Sequence, residues 1–493
     1  MTALAPDNLV VLAIVIPFVG ALFIPLFRNE PNLREAVTLV TAVALFLAVL
    51  ALLPIVLAGG RPQAFVLAIA PGLSFAFEVE PLGMLFAMVA STLWIVNSIY
   101  SIGYMRANKE PRQTSYYVCF AIALGSTIGL AFAQNLFTMF LFYEALTIST
   151  YPLVTHSRSA EAMRAGRIYL GLLLGTSMIL FLPAIIATWV IAGTLDFTPG
   201  GVLDGKASAT VLGILLAFYV FGIGKAALMP LHFWLPAAMV APTPVSALLH
   251  AVAVVKAGVF SILKVVLYVF GPDTLSASGA SAWLIYLASV CIIGASLIAL
   301  SKDNLKARLA YSTVSQLAYV VLGAALATNA GIMAGAVQIA THAAGKITLF
   351  FCAGAIYVAA HKTEISELDG LGRRMPVTFA AFLIGSLSII GLPPFGGMWS
   401  KWYLSLAAID SGYAFVIGVL IVSSLLNVAY LLSIVGRAFF LPERGAENTR
   451  VSSIKEAPLA CVVPLSVTAL LCAVLFFQVD NLQALMTGAI SGK

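Results

Sequence analysis

"GKAALMPLHFWLPAAMVAPTP", residues 224–244, sets one lysine and four prolines into apolar sequence that would otherwise run on as a single helix. Proline lacks an amide donor and clashes with the preceding helical turn. In hydrocarbon the freed backbone groups are tolerated only where protein or a wet cavity satisfies them. The stretch therefore predicts a seventh membrane helix interrupted at Pro230 and Pro236, with Lys225 just ahead of the break. The pattern recurs in "GLPPFGGMWSKWYL", residues 391–404, where a twelfth helix breaks at Pro393 and Pro394 and Lys401 follows. Interrupted helices in corresponding places of two halves point to a pair of repeats with a site near mid-membrane. The breaks are five helices apart, an odd number, so the repeats are expected to be inverted.

The whole chain supports a membrane setting. Its 493 residues are 61% hydrophobic and 9% charged, with a mean hydropathy of +1.04, far too apolar for a soluble protein of this length. Apolar stretches long enough to cross a bilayer number about fourteen. The reading is one all-α polytopic membrane domain over 1–493. Helices one to three lie in 1–110, a first repeat of helices four to eight in 111–271, an inverted repeat of helices nine to thirteen in 280–440, and helix fourteen in 441–493. The first helix has no basic flank, only Asp7, and runs into a second apolar segment, so it is expected to be retained and not cleaved as a leader.

The net charge of +6 does not indicate nucleic acid, because its distribution follows membrane topology. Loops after odd-numbered helices carry 18 Lys/Arg, among them Arg106, Lys109, Arg112, Lys302, Lys306, Arg373, Arg437, Arg444 and Arg450, against two, Arg61 and Lys206, after even-numbered ones. That asymmetry places the odd loops in the cytoplasm and both termini outside. Cys119, Cys291, Cys352, Cys461 and Cys472 show neither CxxC nor metal-ligand spacing, and no GxGxxG, Walker A or HExxH motif is present. No cofactor or metal is expected. Energy has to come from an ion gradient or from partner subunits.

What demands explanation is charge inside the spans. A charged side chain at a bilayer centre costs about 2.5–3.5 kcal/mol on insertion scales, and such residues ordinarily serve function. Glu144 sits in the middle of "LFTMFLFYEALTIST" (136–150), with Lys225 as its natural partner. Burial favours the neutral form of either group and a nearby opposite charge favours the ionised form, so relative movement of the two would load or empty the site. A packing role for Glu144, paired to a fixed cation, is the competing reading. His250 and Lys256 lie six residues apart on the eighth helix, on different faces. His250 is read as a relay because of the neighbouring break, against the blander alternative of a hydrogen-bonded packing residue. His342 and Lys346 are four apart, hence on one face, with Thr341 and Gly345 leaving room for water. Lys401 closes the series. Lys264 lies nearer the outer end, where a lysine stem can snorkel to the interface, and is set aside.

These residues also carry a resemblance. "VEPLGMLFAMV" (79–89), "FYEALTISTYPLV" (142–154), "KAALMPLHFWLPAAMVAPTPVSALLHA" (225–251), "NLKARLAYSTVSQLAYV" (304–320) and "LPPFGGMWSKWYL" (392–404) resemble the proton-conducting subunits shared by respiratory complex I and the Mrp cation/proton antiporters. The resemblance implies fourteen helices, two inverted five-helix repeats, broken helices seven and twelve, and Glu144, Lys225 and Lys401 in the family's glutamate and lysine positions. A chain ending after the fourteenth span, with lysine at 401, is most similar to the MrpD branch. His250, Trp402 and "LPAAMVAP" depart from that branch's usual pattern. The implied function is the proton-translocating subunit of a multisubunit monovalent cation (Na+)/proton antiporter in the cell's inner membrane. Its partners would be other membrane subunits and the bilayer. The alternative is a proton-pumping subunit of a complex I-type oxidoreductase or of a membrane-bound hydrogenase or formate hydrogenlyase. A structural scaffold is a third reading, which the intact series of buried charges disfavours.

Overall fold

The computed structural model describes residues 5–70, 73–442 and 454–490. It is a helical bundle. Among the described residues eleven helices are long and apolar enough to cross a membrane, and Ala209–Gly222 and Pro376–Ile390 are shorter apolar helices. In chain order the elements are α1 (Pro6–Phe23), α2 (Pro31–Leu57), β1 (Gln63–Ala70), β2 (Leu73–Glu78), α3 (Pro81–Ala107), α4 (Gln113–Ala131) and α5 (Leu136–Val154). Then come α6 (Ala160–Ala192), α7 (Ala209–Gly222), α8 (Thr243–Phe270), α9 (Ala282–Ser301), α10 (Leu305–Ala325) and α11 (Asn329–Ala360). The series closes with α12 (Pro376–Ile390), α13 (Gly397–Asp410), α14 (Phe415–Phe440), α15 (Leu459–Phe477) and α16 (Val479–Ile490).

Local chemistry sets many of the helix starts. Proline opens α2, α3 and α12, where its missing N–H would be unpaired in any case. Side chains of Asn135, Ser159, Ser208, Asn304 and Thr328 accept backbone amides at the starts of α5, α6, α7, α10 and α11. Two elements were not expected from the sequence. The β1–β2 hairpin pairs antiparallel from Gln63↔Glu78 to Ala70↔Leu73, and α16 follows the last spanning helix. Arg444 and Arg450, two of the basic loop residues, lie outside the described residues.

Burial sorts the helices by job. Every residue of α8 is buried, and most of α11 is, whereas α1, α2, α6, α14 and α15 present much of their apolar surface outward, as lipid-facing helices do. The helices that carry His250, Lys256, His342 and Lys346 are thus the ones shielded from lipid.

Both interruptions are present, and the first is displaced from its expected position. α7 stops at Gly222, well before Pro230, and Lys225 lies in a 3-10 turn, Gly224–Ala226, within the break and not ahead of it. Pro236 sits inside a one-turn helix, Trp234–Ala237. The cause is close backbone approach. A Cβ on Gly222 would fall 2.4 Å from Phe181 N, and one on Gly258 of α8 would fall 2.3 Å from the Lys225 carbonyl carbon. These contacts hold the unwound chain against its neighbours. Trp234 Nε1 donates to Gly224 O at 3.0 Å, and Lys225 N donates to the Tyr143 hydroxyl at 3.1 Å, so the freed backbone finds partners. The second break separates α12 from α13, with Gly391 at φ +86° and Pro393–Pro394 between them. Each break contains one cis X–Pro bond, Met229–Pro230 and Pro393–Pro394.

Candidate functional site

Glu144 and Lys225 are both buried and act on each other through charge, without an ion pair between them. Lys225 Nζ donates to Tyr143 O at 2.8 Å and Thr147 Oγ1 at 2.5 Å, and it stands 3.2 Å from the centroid of the Tyr143 ring. The α5 helix therefore offers the lysine a berth built from a carbonyl, a hydroxyl and an aromatic face. Lys225 acts on the Glu144 carboxyl through its charge, and the Ser177 hydroxyl is the side chain that hydrogen-bonds to it. The lysine is thus solvated by α5 itself, while the acid on the same helix acts on it through charge and forms no ion pair with it.

At the centre the structure makes a link across helices. Lys256 Nζ of α8 and His342 Nδ1 of α11 lie 2.5 Å apart. Lys346, one turn beyond His342, turns to α10 instead, donating to Ser312 Oγ at 2.6 Å and Leu309 O at 3.3 Å. The expected shared face of His342 and Lys346 holds in the helix, but their heads go to different neighbours. His250 lies in a π-turn, Leu248–Val252, with its ring 4.6 Å from that of Phe350. Neither of its nitrogens bonds to protein. Single π-turns are frequent at functional positions, since they re-aim a side chain without ending the helix.

Lys401, on α13 beyond the second break, donates to Ile390 O at 2.5 Å and Ser424 Oγ at 2.7 Å. It lines an open cavity of about 420 Å³ together with Leu392, Trp402, Ile421 and Leu425, all exposed. On the side of the basic loops a second cavity, about 200 Å³, is lined by Tyr104, Glu110, Thr243 and Lys306 among others. Lys306 Nζ donates to Ala241 O at 2.6 Å, immediately before α8 begins. Burial raises the proton affinity of Glu110, in the loop between α3 and α4, while Lys306 opposes that rise.

Several polar partners escaped sequence reasoning. Lys264 does not snorkel: it is fully buried and paired to Glu80 at 3.3 Å, and its ammonium also donates to Ala133 O at 2.9 Å. Tyr268 donates to Glu80 Oε2 at 3.0 Å, and Glu80 accepts the amides of Leu82 and Gly83 at 2.7 Å each. The Glu-Pro start of α3 was a legible cap signal. The Thr147 berth, the Ser312 acceptor and the bridge from Ser400 to Gln338 at 2.5 Å had none, because serine, threonine and glutamine are unremarkable in membrane helices. Among the described residues no group of three His, Cys, Asp or Glu could hold a metal ion.

Fold and site together define a polytopic membrane protein whose lipid-shielded helices carry a series of buried ionisable side chains around two helix breaks. The chain belongs to the NADH:quinone oxidoreductase/Mrp antiporter transmembrane family, whose family model matches residues 133–427. It is 29% identical over 461 residues to NADH-quinone oxidoreductase subunit N of Desulforudis audaxviator, covering 91% of this chain and 90% of the relative. It is 33% identical over 355 residues to NAD(P)H-quinone oxidoreductase chain 5 of Picosynechococcus sp., covering 67% of this chain and spanning only 50% of that relative. Among solved structures it is similar to a chain of the Mrp complex from Dietzia sp., with TM-score 0.85, 22% identity and coverage of 100% of this chain and 97% of the other. A chain of the archaeal membrane-bound sulfane sulfur reductase matches with TM-score 0.85 and 25% identity, covering 98% and 97%.

Proposed function

We propose that this chain is the proton-translocating subunit of a multisubunit monovalent cation/proton antiporter of the MrpD type. The observation that carries the reading is the row of ionisable groups in the bundle: Glu144, Lys225, His250, Lys256, His342 and Lys346 are buried, and Lys401 is half-buried at an open cavity. Hydrocarbon offers a proton no water, so passage needs such stepping stones. A membrane potential supplies about 2.3 kcal/mol per charge per 100 mV, enough to bias their protonation. The residues that resemble the Mrp subunits support sodium as the exchanged cation. The basic odd loops support both termini on the outer face, in the inner membrane. The division into residues 1–110, two inverted repeats over 111–271 and 280–440, and 441–493 belongs to the same reading.

The named relatives favour a second reading. Two are subunits of quinone oxidoreductases and one similar structure is from a sulfur-reducing respiratory complex, which supports, as the alternative, a proton-pumping subunit of a redox complex. Extraction from the native membrane in mild detergent, with mass spectrometry of the copurifying chains, separates the two. The antiporter reading predicts small hydrophobic subunits and sodium-dependent proton flux. Iron–sulfur, flavin or nickel-site subunits would overturn it in favour of the redox pump.

A further inference from the structure

Arg112, in the loop between α3 and α4, donates to the carbonyl of His156, in the loop between α5 and α6. The contact draws two basic loops together at one end of the bundle. Between them lies a cavity of about 300 Å³, lined by Arg112, Ser115, Thr155, His156, Arg158 and Met163 among others, with no carboxylate among its lining residues. Glu110, the acid of the first loop, lies 3.9 Å from His156 Nε2 and lines the neighbouring cavity instead. Among the described residues the Arg158 side chain has no hydrogen-bond or ion-pair partner. Pro152, also in the cavity wall, continues along α5 into one outward face with Ile148 and Leu141, four and eleven residues earlier. All three are exposed, Ile148 to 61%.

We infer that this cavity binds the phosphate of an anionic phospholipid, with an acyl chain lying along Pro152, Ile148 and Leu141. The bland alternative is that basic loop residues do no more than fix topology. Arg164 and Arg167, exposed on the first turns of α6 and outside the cavity, fit that description. Arg112 and Arg158 differ from them, because they converge from separate loops on one acid-free cavity. The planar fork of donors on each guanidinium matches the oxygens of a phosphate. The apolar face that begins at the same cavity decides the rest of the ligand: a soluble anion would leave it bare, whereas a lipid fills both parts with its head and its chain. The site joins the end of α5 to the start of α6, the two helices that bring Glu144 and Ser177 together. An occupied cavity therefore braces the spacing of those helices. The assignment holds whichever complex the chain serves in.

The test places the native complex in phosphatidylcholine proteoliposomes with a small, sub-saturating fraction of phosphatidylglycerol that carries a photoactivatable group in its acyl chain. Mass spectrometry then maps the labelled residues. Label is expected on α5 within residues 141–152 and at Met163, well above that from a matching phosphatidylcholine probe and unaffected by added inorganic phosphate. Arg158→Gln, which removes no contact within the protein, is expected to cut this label about fivefold, the effect of one lost cation on an anionic lipid. The double variant Arg112→Gln/Arg158→Gln is expected to lower it further, and Arg164→Gln to leave it unchanged. No label at these residues, or equal label from the phosphatidylcholine probe, overturns the site as ordinary lipid contact. Loss of the label on adding inorganic phosphate assigns the cavity to a free anion and overturns the lipid. Equal losses in Arg158→Gln and Arg164→Gln show diffuse surface charge and also overturn it.

Discussion

Two buried glutamates in this chain have opposite surroundings, and the contrast assigns their jobs. Glu80 receives two backbone amides, the Tyr268 hydroxyl and the Lys264 ammonium. A carboxylate so fully satisfied is a rivet, tying the start of α3 to α8. Glu144 has only Ser177 and, through its charge, Lys225 to act on it, a far poorer set of partners for a buried carboxyl. Glu80→Ala is therefore expected to strand the Lys264 charge and destabilise the fold by about 3–5 kcal/mol, the usual cost of halving a buried pair. Thermal unfolding of the detergent-solubilised protein measures this, and an unchanged midpoint would remove the rivet. The sequence named Glu144 through its isolation in an apolar run, but misread Lys264, because its partner lies 184 positions upstream at Glu80 and nothing local announces so distant a contact.

Among elements, the helix breaks matter most, and here prolines were a useful but indirect guide. Pro230 and Pro236 signalled that α7 could not run through. The actual stop, at Gly222, is set by packing of glycine backbones against α6 and α8, which no local pattern discloses. Gly258 is the telling position. Its missing side chain lets the Lys225 carbonyl come within van der Waals distance of α8, so the ammonium can reach its berth on α5. Gly258→Ala is expected to push this segment away, lowering stability by about 1–3 kcal/mol as overpacking does and reducing proton flux with it. Flux and unfolding midpoint both at wild-type values would show that the close approach is dispensable. The β1–β2 hairpin and α16 were missed for a different reason: both are short, and the dominant hydropathy signal of the spans masks them.

Over the whole molecule, a simple rule connects composition to placement. Helices with much surface outside the bundle are apolar and meet lipid, while α8 and α11, enclosed by them, hold lysine and histidine. Composition and charge alternation therefore made the bundle and its ionisable side chains legible in advance. The contacts of those side chains were not legible: the Lys256–His342 contact spans 86 positions, and the serines that receive Lys346 and Lys401 resemble ordinary helix packing in sequence. Whether the buried groups move protons or are fossils of packing is decided at Glu144. The deciding measurement is proton flux through the purified native complex in proteoliposomes, compared for wild type and Glu144→Gln. A proton-moving Glu144 leaves the variant complex assembled and of normal stability with its flux abolished; full flux in Glu144→Gln marks the carboxyl as packing.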